Sequence, residues 1–66
     1  MTIILNGGER EVGEGTTTAQ AVRLLTAATS GVAVAVNGRV VTRSAWEDTV
    51  LADGDVIEVL TAVQGG

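Results

Sequence analysis

The chain begins with a short stretch in which β-branched and apolar residues dominate. Residues 2–6 place Ile3 and Leu5 on one face of a strand, because successive side chains of a strand point to opposite faces. Residues 9–12 alternate charge and can return as an antiparallel partner across a turn at residues 6–8. The pattern therefore predicts an N-terminal β-hairpin.

A helix signal follows the loop after this hairpin. Thr17 stands three residues before Gln20, the spacing of a capping box in which each side chain satisfies a free backbone N–H at the helix start. Gly31 can adopt the left-handed backbone conformation that commonly ends a helix. Between them the spacing predicts a helix of about three turns. Its inward stripe is predicted to hold Thr18, Ala21, Val22, Leu25 and Ala28.

The second half of the chain reads as strands again. Residues 32–36 alternate valine with alanine, and the Asn37-Gly38 pair that follows is the strongest short hairpin signal in the sequence. Residues 40–41 begin the return strand. Residues 42–49 are mostly polar and predict irregular structure.

A last strand is predicted at residues 56–62, after a tight turn at residues 53–55. Ile57 and Val59 are expected to point inward, because Glu58 between them should face water.

The predicted order is therefore β-β-α-β-β-β, in the α+β class. One helix can bury its stripe only against one face of a mixed sheet, here of about five strands. For that sheet to be continuous, the last strand must lie between the first and the third, which resembles the β-grasp arrangement of ubiquitin-like domains. Parallel pairing of the first and last strands is implied by this resemblance. We expect one domain over residues 1–62 and a flexible tail over residues 63–66.

Composition removes several classes of function. The 66 residues include no histidine, cysteine or lysine, so zinc and iron–sulfur sites lose their usual ligands, and imidazole-assisted nucleophiles and lysine Schiff bases are excluded. A net charge of −4 disfavours nucleic acid, whose phosphates require a basic surface. The longest apolar run, residues 32–36, is too short for a bilayer, and no basic segment begins a signal peptide. We expect a cytoplasmic protein with no membrane partner, metal or bound cofactor.

Three groups of side chains within the domain could carry chemistry or contacts. Asp53 and Asp55 lack the further oxygen ligands of a calcium loop, and a plain turn is the better interpretation. Trp46 is expected to close the edge of the core and to need a partner for its indole N–H, with a partner contact as the alternative. Arg39 and Arg43 are expected to be solvated, although they could dock an acidic partner.

The C-terminal Gly65-Gly66 is the most distinctive feature. A frayed terminus is the plain interpretation. Two residues without Cβ also make a thin tail that can enter a narrow enzyme cleft. The tail ends in a carboxylate that is ionised and inert at neutral pH. An acyl-adenylate made from ATP by another enzyme would activate it, so the chain would be a macromolecular substrate rather than an enzyme.

A wider set of residues resembles the ThiS family, the sulfur carriers of thiamine biosynthesis. The resemblance spans nearly the whole chain, from the Ile3–Gly7 opening and the Thr17 cap to the C-terminus. Its most specific part is the combination of Trp46 with the Asp53-Gly54-Asp55 motif and the terminal Gln64-Gly65-Gly66. The matching residues of the second half are 36–41, Arg43, Trp46, Leu51, 53–55, Ile57-Glu58 and 63–66.

The resemblance implies a β-grasp fold and a reaction cycle. The last glycine, Gly66, would be adenylated by the E1-like enzyme ThiF with ATP and then converted to a thiocarboxylate. The sulfur would come from a donor such as a cysteine desulfurase. Thiazole synthase, ThiG, would take that sulfur to build the thiazole of thiamine.

The resemblance also implies which residues partners would contact. Gly65, Gln64 and Val63 would be recognised as the tail. The apolar residues predicted to point outward become a candidate partner surface, with ordinary exposure as the alternative: Ile4, Leu60 and Ala62.

Two other functions stay open. Carriers for molybdopterin, such as MoaD, or for cysteine synthesis share the terminal glycines and the same thiocarboxylate chemistry. A passive ubiquitin-like binding module would need no tail chemistry at all. Chains linked through its own lysines are excluded, because the sequence contains none.

Overall fold

A computed structural model describes residues 1–28 and 30–62 of the chain. Within them, five strands and one α-helix follow the predicted order, with a short 3-10 helix before the last strand. Their bounds are β1 Thr2–Leu5, β2 Gly8–Glu11, α1 Thr18–Arg23, β3 Val32–Val36, β4 Arg39–Val41, η1 Arg43–Ala45 and β5 Val56–Thr61.

The strands form a single mixed sheet in the order β2-β1-β5-β3-β4. β5, the last strand in sequence, is central. It runs parallel to β1, with Leu5 opposite Ile57, and antiparallel to β3, with Val34 opposite Val59. Both the central position and the parallel pairing are confirmed. The sheet packs on α1, and the architecture is the β-grasp fold.

Both hairpins turn through an Asn-Gly pair in the left-handed region. The φ angles are 49° and 83° at Asn6-Gly7 and 51° and 81° at Asn37-Gly38. Positive φ at both turn residues gives the backbone twist that matches the strands it joins, and asparagine and glycine tolerate it best. The first turn was predicted to span residues 6–8. It is shorter, because Gly8 already pairs with Leu5.

The core lies between the sheet and α1. Ile3, Leu5, Ile57 and Val59 all point inward as predicted, whereas Glu58 is exposed. The apolar residues buried in the described part of the chain form one cluster: Ile3, Leu5, Ala19, Ala21, Val22, Val34, Trp46, Leu51, Ile57 and Val59.

The start of α1 is fixed by the predicted capping box. The Gln20 backbone N–H donates to Thr17 Oγ1 at 3.3 Å, and the Thr17 N–H donates to Gln20 Oε1 at 2.9 Å. Two further N–H groups of the first turn, those of Thr18 and Ala19, donate to carbonyls of the segment before β5. This segment is thereby tied to the helix, which places Trp46 and Leu51 in the core.

The helix is shorter than the pattern predicted. It ends at Arg23, and the N–H groups of Leu24 and Leu25 bond three residues back in a tightened last turn. Thr26 Oγ1 then accepts the Ala28 N–H at 3.0 Å, a local bond that competes with helical pairing.

The predicted inward stripe is therefore wrong beyond Val22. Leu25 is 39% exposed, and Ala28 is also exposed. Gly31 does have a left-handed φ of 69°, but it lies at the entrance to β3 and does not cap the helix. Thr29, in the same connection, lies outside the described residues.

The asparagines of the two turns hold β5 from both sides. Asn6 Oδ1 accepts the Val59 N–H at 2.7 Å, and Asn6 Nδ2 donates to the Val59 carbonyl at 3.1 Å. Asn37 Oδ1 accepts the Val56 N–H at 2.9 Å, and Asn37 Nδ2 donates to Asp55 Oδ1 at 3.0 Å. These side chains fix the position of β5 along its neighbours.

Replacing Leu25 and Ile57 by alanine removes the same number of carbon atoms from very different sites. Ile57→Ala should lower the free energy of unfolding by about 2–5 kcal/mol, because Ile57 is fully buried. Leu25→Ala should cost less than about 1.5 kcal/mol, because that side chain already contacts water. Urea denaturation of both variants measures the difference, and equal losses would contradict the early end of α1.

Asn6→Gly should lower the free energy of unfolding by about 1–3 kcal/mol, because it removes both part-buried hydrogen bonds to Val59. Glycine keeps the positive φ without strain but adds conformational entropy to the unfolded chain, so the side-chain contribution is the difference from a matched variant. Asn37→Gly is the matched control at the equivalent turn position. Its hydrogen bonds are exposed, and a loss of about 1 kcal/mol or less is expected. A larger loss at Asn37 than at Asn6 would refute this ranking.

Candidate functional site

The described chain ends just beyond β5, the central strand of the sheet. β5 stops at Thr61, and the Ala62 N–H donates to the Gly31 carbonyl at 2.6 Å, the last contact of the described chain. The predicted tail, residues 63–66, follows at once and lies outside the described residues. In the sequence, the predicted tail is thus joined to the central strand through Ala62.

The sheet face turned away from α1, here called the outer face, carries several apolar side chains. Leu60 is 70% exposed on this face, whereas Ile4 is partly buried beside Val56. Ala62 is exposed and follows Leu60 by two residues. All three predicted surface residues are accessible to some degree, and Ile4 and Leu60 share the outer face.

Ile4 and Leu60 are not adjacent on the outer face. Ile4 pairs with Val56, which lies about 13 Å along β5 from Leu60. Glu58 occupies the outer face between those two β5 residues. The apolar surface is therefore a strip interrupted by one carboxylate.

Two further apolar residues of the outer face were missed by the sequence analysis. Val56 is 42% exposed and Val40 is 77% exposed. Both point outward by simple alternation, Val56 next to the inward Ile57, and Val40 opposite Ala35. The alternation was present in the sequence, but a single apolar residue at a strand end does not by itself reveal its face.

Charge is divided between the two sides of the sheet. Glu9 lies opposite Ile4 and Glu11 opposite Thr2, so both glutamates join Glu58 on the outer face.

The arginines occupy the other side. Arg10 lies opposite the inward Ile3, and Arg39 lies opposite Val36, which shares the face of Ile57. Arg23 is on α1 and Arg43 on η1. Among the described residues, the outer face is thus apolar and acidic with no arginine.

Trp46 closes the core edge as predicted. It is 7% exposed, and its Nε1–H donates to the Val41 carbonyl at 2.9 Å. The Arg43 guanidinium lies 5.6 Å from the centre of its ring. Beside it, a groove of about 600 Å³ separates α1 from η1 and is bridged by an exposed Arg23–Glu47 ion pair of 3.4 Å. The groove mixes both signs of charge, and Trp46 contributes packing there.

The Asp53 and Asp55 carboxylates organise the turn before β5, as the sequence predicted. Asp53 Oδ1 accepts the Thr2 N–H at 2.7 Å, and Asp55 Oδ2 accepts the Ala52 N–H at 2.8 Å. Within residues 1–28 and 30–62, no three acidic side chains come together in a group that could hold a metal ion. The same residues include no helix long and apolar enough to cross a membrane.

The whole chain is similar to solved structures from Geobacter metallireducens. The crystal structure of its thiamine biosynthesis protein ThiS is 32% identical, with a TM-score of 0.79 and complete coverage of both chains. An NMR solution structure of a thiamine biosynthesis protein from the same organism is also 32% identical, with a TM-score of 0.80. That match covers 100% of this chain and 88% of the other.

The family comparison agrees with the structural one. No curated protein matches the chain significantly. The model of the ThiS family matches residues 3–66, which include the β-grasp domain and the Gly-Gly terminus. The resemblance noted in the sequence is confirmed, and the chain belongs to the ThiS family.

Proposed function

We propose that this chain is a sulfur carrier of thiamine biosynthesis whose C-terminal Gly66 carries the sulfur as a thiocarboxylate. The observation that carries the proposal is the central position of β5, the strand from which the chain leads to Gly66. In the sequence, Ala62 alone separates the four residues that end in Gly65-Gly66 from β5, which has strand neighbours on both sides. Membership of the ThiS family supports the same role.

The chemistry requires that the inert carboxylate become an acylating group. A carboxylate oxygen of Gly66 attacks the α-phosphorus of ATP, and pyrophosphate leaves. The terminal sulfur of a persulfide on the donor then attacks the acyl carbon, and AMP leaves, which gives an acyl disulfide. A thiol reductant attacks the donor sulfur of that disulfide, the thiocarboxylate of Gly66 leaves, and the donor and the reductant remain joined as a disulfide. This chain contributes the acyl group, while the activating enzyme contributes the ATP site. The chain therefore acts as a co-substrate and not as an enzyme.

The narrowness of the tail suits entry into an active-site cleft. Gly65 has no Cβ, so the backbone at the penultimate position can pass between walls that would stop any other residue. Gln64 and Val63 are the side chains nearest the reacting end, and we propose that they are recognised as the tail enters.

Three partners follow from this cycle. A ThiF-type enzyme adenylates the tail, a donor such as a cysteine desulfurase provides the sulfur, and a ThiG-type thiazole synthase consumes it. We propose that Ile4, Leu60 and Ala62 form part of the surface that these enzymes bind. Because the outer face combines apolar residues with glutamates, the matching enzyme surface should be apolar with a basic rim.

Gly65→Val should abolish thiocarboxylate formation while leaving the thermal unfolding midpoint within experimental error. The added side chain is expected to block entry of the tail into the cleft, and the sequence predicts that residue 65 belongs to the tail and not to the domain. Gly13→Val is the matched control, because Gly13 has ordinary φ, open space around its Cβ position and no part in the tail. Intact-mass analysis after incubation with a ThiF-type enzyme, ATP and a sulfur source detects the exchange of oxygen for sulfur.

A wild-type chain that never gains sulfur with a competent enzyme would refute the carrier function. A passive binding module would keep its partner after deletion of Gly66. Rescue of a molybdopterin or cysteine auxotroph, with no rescue of a thiamine auxotroph, would assign the carrier to another pathway.

Leu60→Ala should weaken binding to the activating enzyme about tenfold, because an exposed leucine loses its burial in the interface. Val50→Ala is the control, since Val50 is 60% exposed but lies beside the start of α1, bridged to Thr17. Titration calorimetry compares the two. Equal effects would place the contact away from the outer face.

A further inference from the structure

Within residues 1–28 and 30–62, the second half of β5 has a strand neighbour on one side only. β1 pairs with it at Val56 and Ile57, and the chain then reverses through the Asn6-Gly7 turn. The Asn6 side chain makes the final contact, at Val59. β3 continues on the other side as far as Thr61. Beyond Val59, the described part of the chain therefore places no strand on this side of β5, and this position is here called the β1-side slot.

The backbone groups of Thr61 point into this slot. The carbonyl oxygens of Asp55 and Ile57 accept hydrogen bonds from β1 and from Asn6, and the Val59 groups bond the Asn6 side chain. Because backbone groups alternate in direction along a strand, the N–H and C=O of Thr61 are the next pair on that side. The same alternation directs the Ala62 N–H the other way, to Gly31. Thr61 is itself exposed.

We propose that the β1-side slot receives an extended segment of the enzyme that adenylates the tail. The segment would add a strand to β5 by bonding the Thr61 N–H and C=O. An extended backbone is the chemistry that matches such a pair of groups, as in other cases of strand addition. This inference rests on the proposed function, since it assumes that an enzyme holds the tail.

The position and charge of the slot favour an enzyme over a second copy of the chain. The slot begins five residues before Gly66, so a strand there would hold the tail extended at the mouth of the active site. A second copy would bring together two chains of net charge −4, each with an acidic outer face. A partner with a basic rim meets no such repulsion.

The test measures amide hydrogen exchange of the wild-type chain, free and saturated with the activating enzyme. The Thr61 amide should exchange at least tenfold more slowly in the complex. Leu60 is the internal control, because its N–H already faces β3 and should be protected in both states. Unchanged exchange at Thr61 in the saturated complex would overturn the proposal. So would protection of Thr61 that rises with the concentration of the free chain alone, which would indicate self-association.

A pair of variants tests the hydrogen bond itself. Thr61→Pro removes the N–H at a position where an edge tolerates proline, while Thr61→Val keeps the N–H and the branched shape. Binding of Thr61→Pro should be about 2- to 12-fold weaker than that of Thr61→Val, as expected for one hydrogen bond. Equal affinities of the folded variants would contradict the strand addition.

The two proposals fail in different ways. If the wild-type chain gains sulfur but Thr61 stays unprotected, strand addition is wrong and the carrier function stands. If no sulfur is gained with a competent enzyme, the carrier function itself is wrong.

Discussion

The structure depends on the placement of the last strand in the middle of the sheet. β5 is the only described strand with two strand neighbours of widely separated sequence, and its backbone bonds join the N-terminal hairpin to the second one. The Asn6 and Asn37 side chains, each in a left-handed turn, add hydrogen bonds that fix its register. Without β5, the two hairpins would share no sheet, and the inward residues of both would lose their common core.

Much of this arrangement could be predicted because it is encoded locally. An Asn-Gly pair between alternating residues specifies a hairpin whatever surrounds it, and the Thr17–Gln20 capping box starts the helix by contacts within one turn. The end of α1 could not be predicted in this way. Leu25 and Ala28 continue the helical spacing, but the Thr26 hydroxyl offers the backbone a local alternative to helical pairing.

The candidate site was predictable to a lesser degree, because it depends on which strands become neighbours. Leu60 points outward because it alternates with the inward Val59, and this orientation was predicted from the sequence. The β1-side slot could not be predicted from the sequence. It exists because β1 ends at Leu5 and the next residue, Asn6, reaches the backbone of Val59 with its side chain. A contact between residues so distant in sequence follows from topology and has no local signal.

The length of β1 determines how much of β5 is hydrogen-bonded on that side and which backbone groups of β5 stay accessible. A longer β1 would pair with Thr61 and bury its backbone groups, whereas a β1 without Asn6 would leave the N–H and C=O of Val59 without their hydrogen bonds to that side chain. With Asn6 as its end, β1 secures β5 as far as Val59 and leaves the next pair of backbone groups open. β3 supports the same stretch from the opposite side as far as Thr61. The strand end is therefore held in place by its own chain while one edge and the outer face at Leu60 remain accessible to a partner.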